Sequence, residues 1–137
     1  MLSTLSRLYK PVVLLVDDDP DVRAVMTHTL DTRGFRVLTA RDAQAAMTIC
    51  EQHGSTINVL IADLSLPGDL TGNLARRVTA AYPHIKTVFA TGIPRHIALA
   101  TRLVPPDAPY LEKPVSADVL ANLMRSLLPQ FNTHHNG

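Results

Sequence analysis

The stretch VVLLVDDDPDVR at residues 12–23 decides the fold of this chain. It begins with an uninterrupted apolar run, which is typical of a parallel strand covered by helices on both faces. Three consecutive acids, Asp17, Asp18 and Asp19, follow the run, and Pro20 suits the first position of a helix that Asp19 caps. The stretch therefore predicts a buried strand, an acidic turn and a helix.

The same alternation of apolar runs and helical periodicity continues along the chain and favours a βαβ build. Further strands are predicted at 35–40, 57–62, 85–90 and 108–111, and helices at 20–30, 42–53, 74–82, 94–103 and 116–128. The prediction is an α/β fold with a doubly wound five-stranded parallel sheet, about five helices and right-handed crossovers. Binding sites in such sheets lie beyond the carboxyl ends of the strands.

Length and composition narrow the function classes. The 137 residues suit one domain, predicted at 11–129, with an N-terminal extension at 1–10 and a flexible tail at 130–137. The net charge is +1 and the basic residues are scattered, so no nucleic-acid partner is expected. No apolar run is long enough to span a membrane, which favours a cytoplasmic protein. The single cysteine, Cys50, excludes an internal disulfide and suits a buried helix position.

Groups that can handle phosphate follow four of the predicted strands. Asp17 and Asp18 end the first strand, Asp63 the third, Thr91 the fourth and Lys113 the fifth. Converging carboxylates repel one another unless a cation neutralises them, and oxygen ligands suit Mg²⁺. An aspartate can also act as a nucleophile and form an aspartyl phosphate. Each residue alone has an ordinary explanation as a cap, a turn residue or a solvated side chain, so the prediction depends on their conjunction.

With these residues in place, the sequence closely resembles the response-regulator receiver family. The matching stretches are VVLLVDDDPDVR at 12–23, VLIADLSLPGDLTG at 59–72, FATG at 89–92 and YLEKP at 110–114, in the family's order and spacing. The resemblance covers nearly the whole chain. It implies a flavodoxin-like sheet with strand order 2-1-3-4-5, as in a chemotaxis receiver.

The resemblance also implies a phosphoacceptor and a metal site. Asp63 matches the phosphoacceptor. Asp18 matches the direct ligand of Mg²⁺, Asp17 its acidic neighbour, and Ser65 the ligand that contributes a backbone carbonyl. Together with Asp63 these residues form the expected metal site.

The remaining matches concern the response to phosphorylation. Thr91 matches the switch hydroxyl that moves toward the phosphoryl group, and Lys113 matches the lysine that contacts it. Tyr110 matches the switch aromatic residue that turns inward on activation. The Lys113–Pro114 bond matches a bond that is usually cis in the family.

The function implied is that of a phosphoacceptor in a two-component system or phosphorelay. The donor is a histidine kinase or a histidine phosphotransfer protein, and the output is a downstream protein that the sequence does not identify. A homodimer is left open, as is the origin of the chain as a stand-alone protein or a part of a hybrid kinase. The resemblance implies self-phosphorylation and self-dephosphorylation at most, rather than conventional enzymatic turnover.

Two departures from the commonest family pattern stand out. Gly72 falls nine positions after Asp63 instead of eight, so the intervening loop is one residue longer. The fourth helix is predicted to be short because Pro105 and Pro106 follow it. The face formed by the fourth helix, the fifth strand and the fifth helix is therefore expected to be reshaped.

Three alternatives remain beside the main prediction. One is an interaction module on a receiver fold that works without phosphorylation, although intact Asp63, Thr91 and Lys113 argue against it. A second is a phosphatase with an aspartate nucleophile, which typically carries an acid at the position of Ser65. A third is a nucleotide-binding domain of flavodoxin-like fold, but no phosphate-cradling glycine loop follows the first strand.

Overall fold

The computed structural model describes residues 10–69 and 72–128, and within these ranges it confirms the predicted α/β architecture. The strands are β1 (Val12–Val16), β2 (Arg36–Ala40), β3 (Val59–Ala62), β4 (Lys86–Thr91) and β5 (Tyr110–Glu112). The helices are α1 (Pro20–Asp31), α2 (Ala43–His53), α3 (Asn73–Ala81), α4 (Arg95–Ala100) and α5 (Ala117–Leu127). All strand pairs are parallel, and the order β2-β1-β3-β4-β5 is the predicted one.

Two hydrophobic layers cover the sheet. Side chains of a strand point alternately to its two faces, so Leu14 packs in the layer that contains α2, α3 and α4. Leu15 packs in the opposite layer, against Met26 of α1 and Met124 of α5. Every residue of β1 and β3 is buried, which explains why their sequences are uninterrupted apolar runs.

Side-chain caps fix the starts of three helices, and the cap by Asp19 is the one predicted above from the sequence. The Asp19 carboxylate accepts a hydrogen bond from the N–H of Asp21 at 2.9 Å, and Asp42 accepts one from the N–H of Ala45 at 2.8 Å. Ser116 caps α5 in the same way. Gly34, beyond the end of α1, has φ 91°, a conformation that glycine adopts without steric cost.

The region after β4 departs most from the predicted boundaries. Helix α4 ends at Ala100, not near 103, because Arg102 takes a left-handed conformation with φ 59°. Strand β5 begins at Tyr110, two residues later than predicted, because Pro109 has no N–H to give to a strand pair. The fourth helix is short, as predicted.

Parts of the predicted domain organisation fall outside the described residues. These are the N-terminal extension apart from Lys10, the tail at 130–137 and the end of the loop before α3. Among the helices in the described part of the chain, none has the length and apolar character needed to cross a membrane.

Candidate functional site

Backbone hydrogen bonds that continue the strand pairing position the candidate site. The N–H of Asp17 donates to the last residue of β2 at 3.1 Å, and the N–H of Asp63 donates to the carbonyl of Val16 at 3.1 Å. The N–H of Lys113 donates to the carbonyl of Thr91 at 2.9 Å. Each of these residues stands just past a strand, so the sheet itself sets where its side chain begins.

Three carboxylates converge at this edge of the sheet. Asp17, Asp18 and Asp63 each offer an oxygen atom, and these atoms lie within 4.8 Å of one another. Asp17 is 1% exposed and Asp63 is 6% exposed, whereas Asp18 faces solvent. The structure thus brings together the three acids that the sequence singled out.

The ammonium group of Lys113 lies between two of these acids. It donates to Oδ2 of Asp63 at 2.8 Å and also to Oδ2 of Asp17. Burial of Lys113 acts to lower its pKa, but the hydrogen bonds and charges of Asp17 and Asp63 more than offset that effect, so the pKa lies above its ordinary value. Lys113 is therefore held as a cation against the buried acids.

The cluster suits a hard divalent cation. Three carboxylates face one ammonium, so a net negative charge remains at the site. Oδ1 of Asp17 accepts the N–H of Asp19 at 2.9 Å, and Oδ1 of Asp63 accepts the N–H of Ser65 at 2.8 Å. A carboxylate oxygen has two lone pairs, so these bonds orient the oxygens without using up their capacity to bind a metal. Oxygen ligands of this kind fit Mg²⁺.

Thr91 and Tyr110 form a second group beside the acids. Thr91 is fully buried at the end of β4, and its hydroxyl accepts the N–H of Ile93 at 3.3 Å. The Tyr110 hydroxyl donates to the carbonyl of the same Ile93. The backbone of Ile93 therefore links the two side chains, and neither hydroxyl bonds to a carboxylate of the cluster among the described contacts.

Burial, and secondarily the negative charge of Glu112, raise the pKa of Tyr110. The guanidinium of Arg95 lies over the Tyr110 ring, 5.9 Å from its centroid. Tyr110 is only partly buried, so its ring lies at the surface between β5 and α4. The Lys113–Pro114 peptide bond is cis, as the resemblance implies.

Sequence reasoning missed Arg23. Its Nη1 donates to the backbone carbonyl of Asp17 at 2.6 Å and so ties the start of α1 to the acidic turn. A signal was present, because a basic residue near the positive N-terminus of a helix is unfavourable unless it has a specific partner.

The structure also assigns a role to Asp69 in the longer loop. Asp69 is 4% exposed, and its Oδ1 accepts the N–H of Leu74 at 2.8 Å. Gly72 lies between them with φ 71°, where a side chain would be strained. The loop thus supplies α3 with a cap from a residue that the sequence alone did not indicate.

Comparisons with known proteins agree with this geometry. The family model described as "Response regulator receiver domain" matches residues 13–125. Sensor kinase CckA of Brucella abortus (strain 2308) is 32% identical over 118 residues, which are 85% of this chain and 12% of that protein. Response regulator receiver protein CpdR of the same organism is 28% identical over 85% of this chain and 95% of its own length.

Solved structures share the fold. A response regulator receiver domain protein from Clostridium thermocellum is 25% identical, with a TM-score of 0.73, over 90% of this chain and 95% of its own. The matched residues therefore span nearly the full length of both small receiver proteins but only 12% of the kinase. The other parts of the kinase have no counterpart among the matched residues.

Proposed function

The chain belongs to the response regulator receiver domain family, whose members are signalling domains of two-component systems, and on that premise we propose that it accepts a phosphoryl group on Asp63. The donor is a histidine kinase or a histidine phosphotransfer protein in the cytoplasm. The observation that carries the proposal is the cluster of Asp17, Asp18 and Asp63, with Lys113 bonded to two of its members.

Asp63 is suited to the role of nucleophile. Its carboxylate is almost fully buried, and the N–H of Ser65 holds one of its oxygens at 2.8 Å. An Asp63 oxygen attacks the phosphorus atom, the new O–P bond forms as the N–P bond to the donor histidine breaks, and the electron pair returns to the imidazole nitrogen. Positioning of the carboxylate is the main contribution of the protein to this step.

Mg²⁺ would be held by the carboxylates of Asp17, Asp18 and Asp63 and by the backbone carbonyl of Ser65. When bound, the ion neutralises negative charge on the transferring phosphoryl group. Lys113 supplies a second positive charge, because its ammonium already contacts Oδ2 of Asp63 and can pass to a phosphoryl oxygen close by.

Thr91, Ile93 and Tyr110 couple the phosphoryl group to the surface. A phosphoryl group adds about −1.5 to −2 charges and new acceptor oxygens. If the Thr91 side chain rotates so that its hydroxyl donates to one of them, the oxygen moves away from the N–H of Ile93 that it now accepts, and the backbone of Ile93 is freed to shift relative to Tyr110. This shift biases a two-state equilibrium and alters the binding of a downstream protein.

Intact-mass measurement tests the proposal. Incubation with acetyl phosphate and Mg²⁺ should add the mass of one phosphoryl group to the wild-type chain. Asp63→Asn should abolish the addition, and chelation of Mg²⁺ should suppress it. Asp31→Asn removes an exposed aspartate at the end of α1 and is the matched control, which should still be phosphorylated.

Two results would count against the phosphoacceptor assignment. One is an unmodified wild-type chain in the presence of Mg²⁺ and either acetyl phosphate or a phosphorylated kinase, which would favour an interaction module that works without phosphorylation. The other is phosphorylation of Asp63→Asn to the wild-type level, which would place the acceptor elsewhere.

A further inference from the structure

Asp69 is a buried acid that the proposed phosphoryl transfer does not use. It lies in the loop between β3 and α3, and the other buried polar or charged residues of the described chain are Asp17, Asp63 and Thr91. Those three belong to the candidate site. A buried carboxylate is costly unless specific hydrogen bonds hold it, so the partners of Asp69 indicate what it does.

The backbone of Asp69 closes a tight turn. Its N–H donates to the carbonyl of Leu66 at 3.1 Å, and Gly68, at the third position of the turn, has φ 76°. A type II turn favours proline at its second position and glycine at its third, and Pro67 and Gly68 stand at those positions here. The turn begins directly after Ser65, so the Ser65 carbonyl belongs to the peptide unit that enters it.

The side chain of Asp69 joins this turn to α3. Its Oδ1 accepts the N–H of Leu74 at 2.8 Å, whereas Gly72, which precedes the helix, has no side chain to serve as a cap. Leu74 is fully buried in the hydrophobic layer that contains α2, α3 and α4. Asp69 therefore anchors the turn to a part of the helix that packing holds in place.

The other end of the loop is fixed at the acidic cluster. The N–H of Ser65 donates to Oδ1 of Asp63 at 2.8 Å, and the neighbours Leu64 and Leu66 are buried. The exposed Ser65 thus lies between a bond to the proposed phosphoacceptor and the turn that Asp69 closes. Removal of the Asp69 side chain frees one side of this segment.

We propose that Asp69 is a positioning residue for Mg²⁺ binding, because it restricts the Ser65 carbonyl through the turn at 66–69 and the bond to Leu74. The inference rests on the proposed function, in which that carbonyl is a metal ligand. Groups that orient metal ligands contribute to affinity without touching the ion. The loop before α3 is one residue longer than in the commonest family pattern, and a longer flexible loop has more conformations to be restricted.

Titration with Mg²⁺, followed by the amide shifts of the isotope-labelled chain, tests the proposal. Asp69→Ala should raise the dissociation constant for Mg²⁺ about tenfold. Asp69→Asn should bind Mg²⁺ nearly as tightly as the wild type does, because an amide oxygen can accept the same hydrogen bond. With acetyl phosphate as donor, Asp69→Ala should need about tenfold more Mg²⁺ for half-maximal phosphorylation and should approach the wild-type rate at saturating Mg²⁺.

Asp42→Ala is the matched control. The Asp42 carboxylate caps α2 through the N–H of Ala45, also at 2.8 Å, and no described hydrogen bond or ion pair joins it to the acidic cluster. Both alanine variants lose a negative charge and an N-cap bond, so both should unfold at a lower temperature than the wild type. Only Asp69→Ala should weaken Mg²⁺ binding, measured where circular dichroism shows every variant to be folded.

Three outcomes would overturn the proposal while the phosphoacceptor assignment stands. The first is wild-type Mg²⁺ affinity in Asp69→Ala. The second is equal weakening in Asp69→Ala and Asp69→Asn, which would assign the effect to charge, and the third is equal weakening in Asp42→Ala, which would assign it to a general loss of stability. A wild-type chain that does not bind Mg²⁺ would instead remove the metal site of the proposed function, and this inference with it.

Discussion

Strands β1 and β3 approach the acidic cluster through the buried centre of the sheet, whereas β4 and β5 approach it from one side. Every residue of β1 and β3 is buried, but β5 has three residues and only Leu111 among them is buried. Asp17 and Asp63 are therefore anchored in the best-packed part of the molecule. Lys113 and Tyr110 lie where packing is thinner.

On the β4–β5 side, helix α4 is joined to β5 by polar contacts. Helix α4 has six residues, and Pro94 before it offers no side-chain cap. Glu112 supplies the cap from β5, since its Oε1 accepts the N–H of Arg95 at 2.7 Å. Arg95 in turn lies over Tyr110. Such exposed or partly exposed links are individually weak, so they add little to the free energy that holds this side in place.

A matched pair of leucine truncations tests this contrast with the largest expected effect. Leu60→Ala in β3 removes a fully buried side chain and should lower the free energy of unfolding by about 2–5 kcal/mol. Leu99→Ala in α4 removes a partly buried side chain of the same size and should cost about 1 kcal/mol. Urea unfolding followed by circular dichroism measures both, and equal losses would contradict the difference in packing.

Lys113→Met tests the link between the two sides. Without the ammonium, the buried carboxylates of Asp17 and Asp63 face each other, and the variant should lose about 1–3 kcal/mol in metal-free buffer. Mg²⁺ should stabilise Lys113→Met more than the wild type, because the ion replaces the missing charge.

Lys86→Met provides the control for this substitution. Lys86 is exposed at the start of β4, so its loss should change neither the stability nor the response to Mg²⁺. If Lys113→Met unfolds at the wild-type urea concentration without metal, the lysine does not hold the two sides together.

The sequence predicted the β1–β3 side more completely than the β4–β5 side for a physical reason. Buried parallel strands demand apolar runs, and residues directly after them are placed by the sheet, so Asp17, Asp18 and Asp63 could be located from their order alone. The N-cap of α1 by Asp19 was equally predictable, because a cap is a local interaction.

Three features of the β4–β5 side could not be predicted from the sequence in this way. They are the end of α4, the start of β5 and the cap by Glu112. The cap joins residues 17 positions apart, and it forms only because α4 lies beside the end of β5. Arg102 in a left-handed conformation gives no local signal, since glycine or asparagine is the residue expected there. A residue whose partner is set by a tertiary contact leaves no periodic pattern in the sequence from which the contact could be predicted. In this chain such residues lie mainly on the β4–β5 side, which has fewer buried strands.

Tyr110→Phe sharpens the comparison with the smallest expected effect. It removes the hydroxyl that donates to Ile93 and should lower the free energy of unfolding by about 0.5–1.5 kcal/mol at pH 7. Tyr82→Phe, at a tyrosine outside this group, should change stability little at that pH.

The pH dependence of the Tyr110→Phe effect tests whether burial of the phenol and the nearby charge of Glu112 favour its protonated form. The pKa of Tyr110 is raised above its ordinary value of 10.0, so the folded chain holds this proton more tightly than the unfolded chain does. The stability that the phenol contributes is therefore full below about pH 10 and falls as the pH rises through the folded-state pKa. The difference between wild type and Tyr110→Phe in urea unfolding should stay constant up to that pH and shrink above it. A difference that stays the same at high pH would mean that burial and Glu112 do not hold the proton of Tyr110 in the folded chain.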